Sequence, residues 1–214
     1  MEKVILACRT IEPEVKLAME KTCVQYPVYW VESGLHNVPQ KLHDALEENL
    51  KALPENTTVL MAFGFCGNTV LGLHTGSHCV IIPKADDCIT LILGSAERRK
   101  NMEGEKGTYF LTPSWLKDEA NIWNEYKHAL NKYGEKRAKR IMQVMFKNYE
   151  RIMAIETGTY DAAAFFEICK KVSADLELKP EACSGTTAWL EKLLTGPYDE
   201  NFLISEPNSV IRIL

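Results

Sequence analysis

The sequence predicts an α/β protein with a mainly parallel, Rossmann-like sheet and helices on both faces. Three observations predict it. Short, unbroken apolar runs such as 57–63 and 79–83 read as strands covered on both sides. Segments with apolar residues at spacings of three and four lie between them. Strands and helices alternate, which calls for parallel pairing through right-handed crossovers.

The elements follow in order. Val4 to Ala7 is a first strand, leaving through Cys8-Arg9-Thr10. Glu12-Pro13-Glu14 opens a helix, with proline in the first turn and carboxylates at the positive end of the dipole. Pro27 to Val31 is a second strand, followed by a loop through Glu32, Ser33 and His36. From Pro39, Leu42, Ala45, Leu46, Leu50 and Leu53 form one helical face, and His43 lies one residue past Leu42, its direction open. The strand 57–63 ends in the glycine-flanked turn Gly64-Phe65-Cys66-Gly67-Asn68. The strand 79–83 leads into Lys84-Ala85-Asp86-Asp87-Cys88, where either aspartate can cap a helix.

A fifth strand is expected over 108–111 and a helical pair over 119–149, broken at Gly134. Strands over 151–155, weakly over 176–178, and over 201–205 alternate with helices over 161–172 and 186–194. This suggests a Rossmann-like half over 1–115 and a helical hairpin with a smaller α/β half over 116–214. Two lobes with a cleft and one continuous sheet are both open at this stage.

Composition narrows the function. The 214 residues suffice for a sizeable core, and a net charge of −4 without a basic tract argues against a general nucleic-acid binder. The basic stretch 136–140 reads as a solvated helix face. No apolar run reaches the ~18 residues of a membrane span, and the first apolar segment is too short for a signal peptide. A cytoplasmic location is expected. Seven cysteines without a Cys-x-x-Cys pair argue against both a disulfide framework and a zinc ribbon. Gly-x-Gly-x-x-Gly and phosphate-loop patterns are absent.

Ligands of open parallel sheets sit outside the carboxyl ends of the strands. Cys8 and Arg9 arrive there from the first strand, Gly64, Cys66, Gly67 and Asn68 from the third, and Lys84, Asp87 and Cys88 from the fourth. Cys8, Cys66 and Cys88, with His43 as a fourth ligand, suit zinc or another thiolate-bound metal. Arg9 and Lys84 suit an anionic group of a substrate or cofactor. A second reading makes Cys66 a nucleophile, with the Gly67 and Asn68 amides as oxyanion donors if a helix starts there and His36 or His43 as the base, while Asp87 completes or supports the site. The bland reading is three small buried core residues. The pair His74 and His78 reads as surface, and Cys183-Ser184-Gly185-Thr186 as a helix cap.

Four motifs in register, Gly64-Phe65-Cys66-Gly67-Asn68, Ile82 to Leu91, Leu93-Gly94-Ser95 and Gly107-Thr108-Tyr109, resemble those of domain-of-unknown-function family 1638. The likeness extends to Cys8, Lys41-Leu42-His43 and Asn148-Tyr149. The family pattern has His where this chain has Asp86, which moves the expected ligand to His43 or Asp87. The resemblance implies a protein of anaerobes associated with corrinoid-dependent methyltransferase systems, hence a role in one-carbon metabolism. The expectation is a metal- or cofactor-binding protein of corrinoid-linked methyl transfer. The alternatives are a non-enzymatic adaptor or chaperone for a corrinoid protein or methyltransferase, and a cysteine-nucleophile hydrolase or lyase.

Overall fold

A computed structural model describes residues 2–103, 107–117 and 121–212. In chain order, the first elements are β1 (Lys3–Cys8), α1 (Glu12–Thr22), β2 (Val28–Val31), α2 (Pro39–Ala52), β3 (Thr58–Ala62), β4 (Cys79–Pro83) and α3 (Cys88–Leu93). There follow α4 (Ala96–Glu103), β5 (Thr108–Leu111), α5 (Pro113–Lys117), α6 (Ile122–Tyr133), α7 (Glu135–Met145) and β6 (Arg151–Glu156). The chain ends in α8 (Ala162–Leu176), β7 (Lys179–Ser184), α9 (Ala188–Thr195) and β8 (Phe202–Ser205).

The fold class is as expected: α/β, with mainly parallel sheets. The described residues form two sheets rather than one continuous sheet. The first has the order β2-β1-β3-β4-β8, and the second β5-β6-β7. The contacts form two compact units, Met1–Ala96 with Thr187–Leu214, and Glu97–Thr186. This grouping differs from a division at residue 115. It returns α9 and β8 to the first unit, where β8 closes the sheet edge by pairing antiparallel with β4.

In the first unit β1 is central, with β2 on one side and β3 on the other, all parallel. Val4 to Ala7 and Val59 to Ala62 are buried at every position. A strand with no exposed face must be covered on both, so helices lie on both faces of this sheet. α9 packs on α1, where Lys21 Nζ donates to Thr187 Oγ1 at 2.8 Å and pairs with Glu191 at 3.1 Å. α2 buries Leu42, Leu46 and Leu50, the face read from their spacing.

In the second unit, Ile152 to Ile155 of β6 are all buried, with α6, α7 and α8 around a core that includes Leu111, Tyr126, Met142 and Phe165. Gly134, with φ 76°, ends α6 and begins α7, the break expected there. The start expected for α6 at 119 lies outside the described residues. The basic stretch of α7 is mostly exposed beside buried Ala138, as a solvated face requires.

Three expectations are corrected here. The weak strand over 176–178 is not a strand. Leu176 ends α8, Glu177 caps it in the left-handed region at φ 58°, and pairing begins at Lys179. The apolar Leu176 and Leu178 flank a helix cap, and the real edge strand is too polar to read as one. Cys183 and Ser184 are the last residues of β7 and not a helix cap. The His74 and His78 pair is not uniformly surface. The His74 side chain is 72% exposed, but His78 is buried, its ring nitrogens on Thr57 Oγ1 and the Leu50 carbonyl, each at 3.0 Å.

Candidate functional site

The order β2-β1-β3-β4 reverses direction at β1 and β3, and the crevice outside such a switch point is where open parallel sheets take ligands. Cys8 is the last residue of β1 and Cys66 lies in the turn after β3. Cys88 is the first residue of α3, after β4.

The turn after β3 is pressed onto the segment that follows β4. The Phe65 amide donates to the Ala85 carbonyl and the Cys66 amide to the Asp86 carbonyl, both at 2.7 Å. These bonds prolong the β3–β4 pairing past the strand ends. They require Gly64, because a Cβ there would lie 2.3 Å from Asp87 Cα. Cys66, Gly67 and Asn68 then take φ values of 46°, 71° and 67°, one left-handed turn closed by the Thr69 amide on the Phe65 carbonyl at 2.9 Å. Two non-glycine residues in that region hold an unfavourable backbone, which the surrounding bonds must maintain. The amides of Gly67 and Asn68 therefore do not begin a helix, the context expected for oxyanion donors. Both residues are exposed at the tip of the turn.

The result is a cluster of sulfur atoms. Cys88 is in hydrogen-bond contact with both Cys66 and Cys8. Cys8 and Cys88 are buried, at 8% and 6% exposure, and Cys66 is half-buried. The hydrogen bond with Cys66, then that with Cys8, holds the Cys88 proton in place. Burial and the negative charge that its two neighbours would carry add to this, so the Cys88 thiol is pushed well above the ordinary thiol range.

Asp87 has a structural task. Its Oδ1 accepts from the Thr90 amide at 2.8 Å and the Thr90 hydroxyl at 3.0 Å, capping α3 and fixing Cys88 at the first helical position. His43 serves the turn after β3. Its Nδ1 donates to the Thr69 carbonyl at 2.9 Å, and the Thr69 hydroxyl donates to the Cys66 carbonyl at 2.6 Å. Thr69 is thus a supporting residue that the sequence reading missed; its place right after Asn68 was the available signal.

Arg9 is held by carboxylates, its Nε donating to Glu32 at 3.0 Å and its Nη1 to Glu12 at 3.2 Å. Lys84 is exposed, and its backbone amide donates to the Asn201 carbonyl at 2.7 Å. The Thr10 hydroxyl, two residues beyond Cys8, is buried and has no hydrogen-bond partner among the described residues.

The donor chemistry of the three thiols fits a soft metal ion. The contacts run from Cys66 through Cys88 to Cys8. Among the described residues, no group of three or more His, Cys, Asp and Glu side chains is placed to hold a metal ion. The described residues also contain no helix long and apolar enough to cross a membrane.

Residues 30–194 match the model of a family described as a protein of unknown function, DUF1638. Cys66 and Cys88 fall within the matched span and Cys8 precedes it. No curated protein and no solved structure matches the chain.

Proposed function

Since the chain belongs to the DUF1638 family, whose description assigns no reaction, we propose from its site that Cys8, Cys66 and Cys88 form a thiolate centre for a soft metal ion such as zinc, used in one-carbon chemistry linked to a corrinoid. One observation carries this reading: three thiols from three separate strand ends meet at Cys88.

Cys8, Cys66 and Cys88 would hold the ion. When bound, zinc supplies a Lewis acid that lowers the pKa of a coordinated thiol and so readies it to accept a methyl group. The chain's own residues set the stage. Gly64 lets the two loops meet, Asp87 fixes the start of α3, and His43 with Thr69 holds the turn that carries Cys66. Arg9 and Lys84 supply positive charge near the same sheet edge for an anionic substrate or cofactor group. Seven free thiols suit a reducing compartment such as the cytoplasm. The partner on this reading is a corrinoid protein or its methyltransferase, with the corrinoid carried there.

The test is metal analysis of anaerobically purified protein beside its Cys66→Ser and Cys88→Ser variants, with a zinc titration of each. Near-stoichiometric metal in the wild type, lost in both variants, supports the reading. A wild type that neither carries metal nor takes up zinc removes it.

A further inference from the structure

We infer that the same three sulfurs also make a thiol–disulfide exchange site, in which Cys66 is attacked first and Cys88 resolves the product into a Cys66–Cys88 bridge. The inference rests on the thiol centre proposed above and adds its regulation: an oxidant of the disulfide class would close the site to metal.

The arrangement of exposure and contact supports this order. Cys66 is the outermost of the three, half-buried in a turn whose next two residues, Gly67 and Asn68, are exposed. A small disulfide can reach it there. Cys88 is buried behind it and touches it directly. Cys8 reaches Cys88 from the end of β1. Cys66 and Cys88 both lie on the two segments joined by the Phe65–Ala85 and Cys66–Asp86 backbone bonds, so their main chains are already held side by side. A bridge needs the sulfurs to close from hydrogen-bond contact to ~2.05 Å. Cys66 can make that move in an exposed turn more readily than Cys8 can from a buried central strand. Cys23 is exposed at the end of α1, and Cys169 is sealed in the second unit's core.

The chemistry balances. Cys66 gives its proton to solvent and attacks one sulfur of a disulfide RSSR. The bond from Cys66 to SR forms as the RS–SR bond breaks, and RS⁻ leaves and takes up a proton. The sulfur of Cys88 then attacks Cys66 Sγ, and its proton goes to the second RS⁻ as that group departs. Cys66 and Cys88 are together oxidised by two electrons, and RSSR is reduced to two RSH. Cys8 stays reduced.

The experiment treats reduced, metal-free full-length protein with oxidised glutathione, then alkylates it and maps the cysteines by mass spectrometry. The wild type is expected to give the Cys66–Cys88 bridge with no lasting adduct at Cys66, and Cys8→Ser to give the same bridge. Cys88→Ser is expected to stop at a persistent glutathione adduct on Cys66, while Cys23 carries an adduct in every variant. Cys88→Ala serves as the second variant should the serine fail to fold, with circular dichroism reporting the fold of each. No bridge in the wild type, or an adduct at Cys66 equally lasting with and without Cys88, overturns the inference.

A parallel sample first loaded with zinc separates the two proposals. A bridge in protein that never takes up zinc keeps this inference and removes the metal reading. Zinc uptake with no bridge, and no zinc release on adding oxidised glutathione, does the reverse.

Discussion

The main chain of Gly64 lies against that of Asp87 so closely that any side chain at 64 would occupy the backbone of 87, with a Cβ 2.3 Å from Asp87 Cα and 2.4 Å from its carbonyl carbon. That approach is what brings the turn carrying Cys66 onto the segment that delivers Cys88. Gly64→Ala is therefore expected to cost about 2–3 kcal/mol, since backbone cannot yield as a flexible side chain can. It should also part the thiols. Urea unfolding measures the first effect, and loss of the Cys66–Cys88 bridge after oxidised glutathione measures the second. Unchanged stability would remove the close approach from the account.

Gly67 offers the contrasting case. Its φ is +71°, yet a Cβ there meets nothing within 4 Å. Gly67→Ala should cost only the intrinsic left-handed penalty, about 1–2 kcal/mol, and leave the cluster assembled. A loss as large as that of Gly64→Ala would mean that the turn is packed in a way these contacts do not describe.

A second close approach explains another family motif. A Cβ on Gly107 would lie 1.6 Å from the Asn148 carbonyl oxygen, at the amino ends of β5 and β6. The Glu150 amide donates to the Gly107 carbonyl at 2.8 Å in the same place. The amino ends of parallel strands lie away from the ligand edge, so the Gly107 and Asn148 motifs read as structural. Gly107→Ala is expected to destabilise the protein by several kcal/mol, about 3 or more, without altering the reactivity of Cys66 in whatever fraction folds. Limited proteolysis and thiol mapping check the two halves of that statement.

Glu47 on α2 should give the protein part of its acid sensitivity. Burial alone would raise its carboxyl pKa. The His74 amide and ring, on Oε1 at 2.7 and 3.0 Å, and Lys51, on Oε2 at 3.2 Å, outweigh burial and lower it from 4.5 to about 2. A folded-state pKa below the unfolded one contributes stability that is complete above about 4.5 and is lost as pH falls toward 2. At ~1.36 kcal/mol per unit the contribution is at most ~3.4 kcal/mol. Glu47→Gln should lower stability by up to that much at pH 7 and by much less near pH 2. Equal losses at both pH values would contradict the assignment.

Cys169 and Cys23 should mark the extremes of thiol reactivity. Cys169 is fully buried, and burial pushes its thiol up to about 12. Its raised folded pKa contributes stability below about 9 that is lost as pH rises toward 12. Iodoacetamide at pH 8 is expected to label Cys23 in the native protein and Cys169 only after unfolding. Native labelling of Cys169 would place it outside the core.

The sequence reached some of these features by local signals. The apolar face of α2, the cap of Asp87 on α3 and the break at Gly134 each follow from spacing or residue type within a few positions. The alternation of strand and helix gave the fold class. Other features left no local trace. β8 belongs beside β4, some 120 residues earlier, and an edge strand read by composition does not name its partner. β7 carries Lys179, Pro180 and Glu181, so its pairing with β6 outweighs a weak strand propensity. The glycines announce a turn at Cys66, but the glycine signal alone does not set its hand.

What the sequence by itself determined was the edge of the sheet at which Cys8, Cys66 and Cys88 arrive, because each lies at or shortly after a strand's carboxyl end and parallel strands end together. What only the tertiary structure decided was that Cys88 meets both Cys66 and Cys8. That contact depends on two backbones meeting at Gly64 and Asp87 and on a turn held in an unfavourable conformation by bonds from Ala85, Asp86 and Thr69. Such long-range bonds are set by how the sheet packs, and residue order encodes them only through the whole fold.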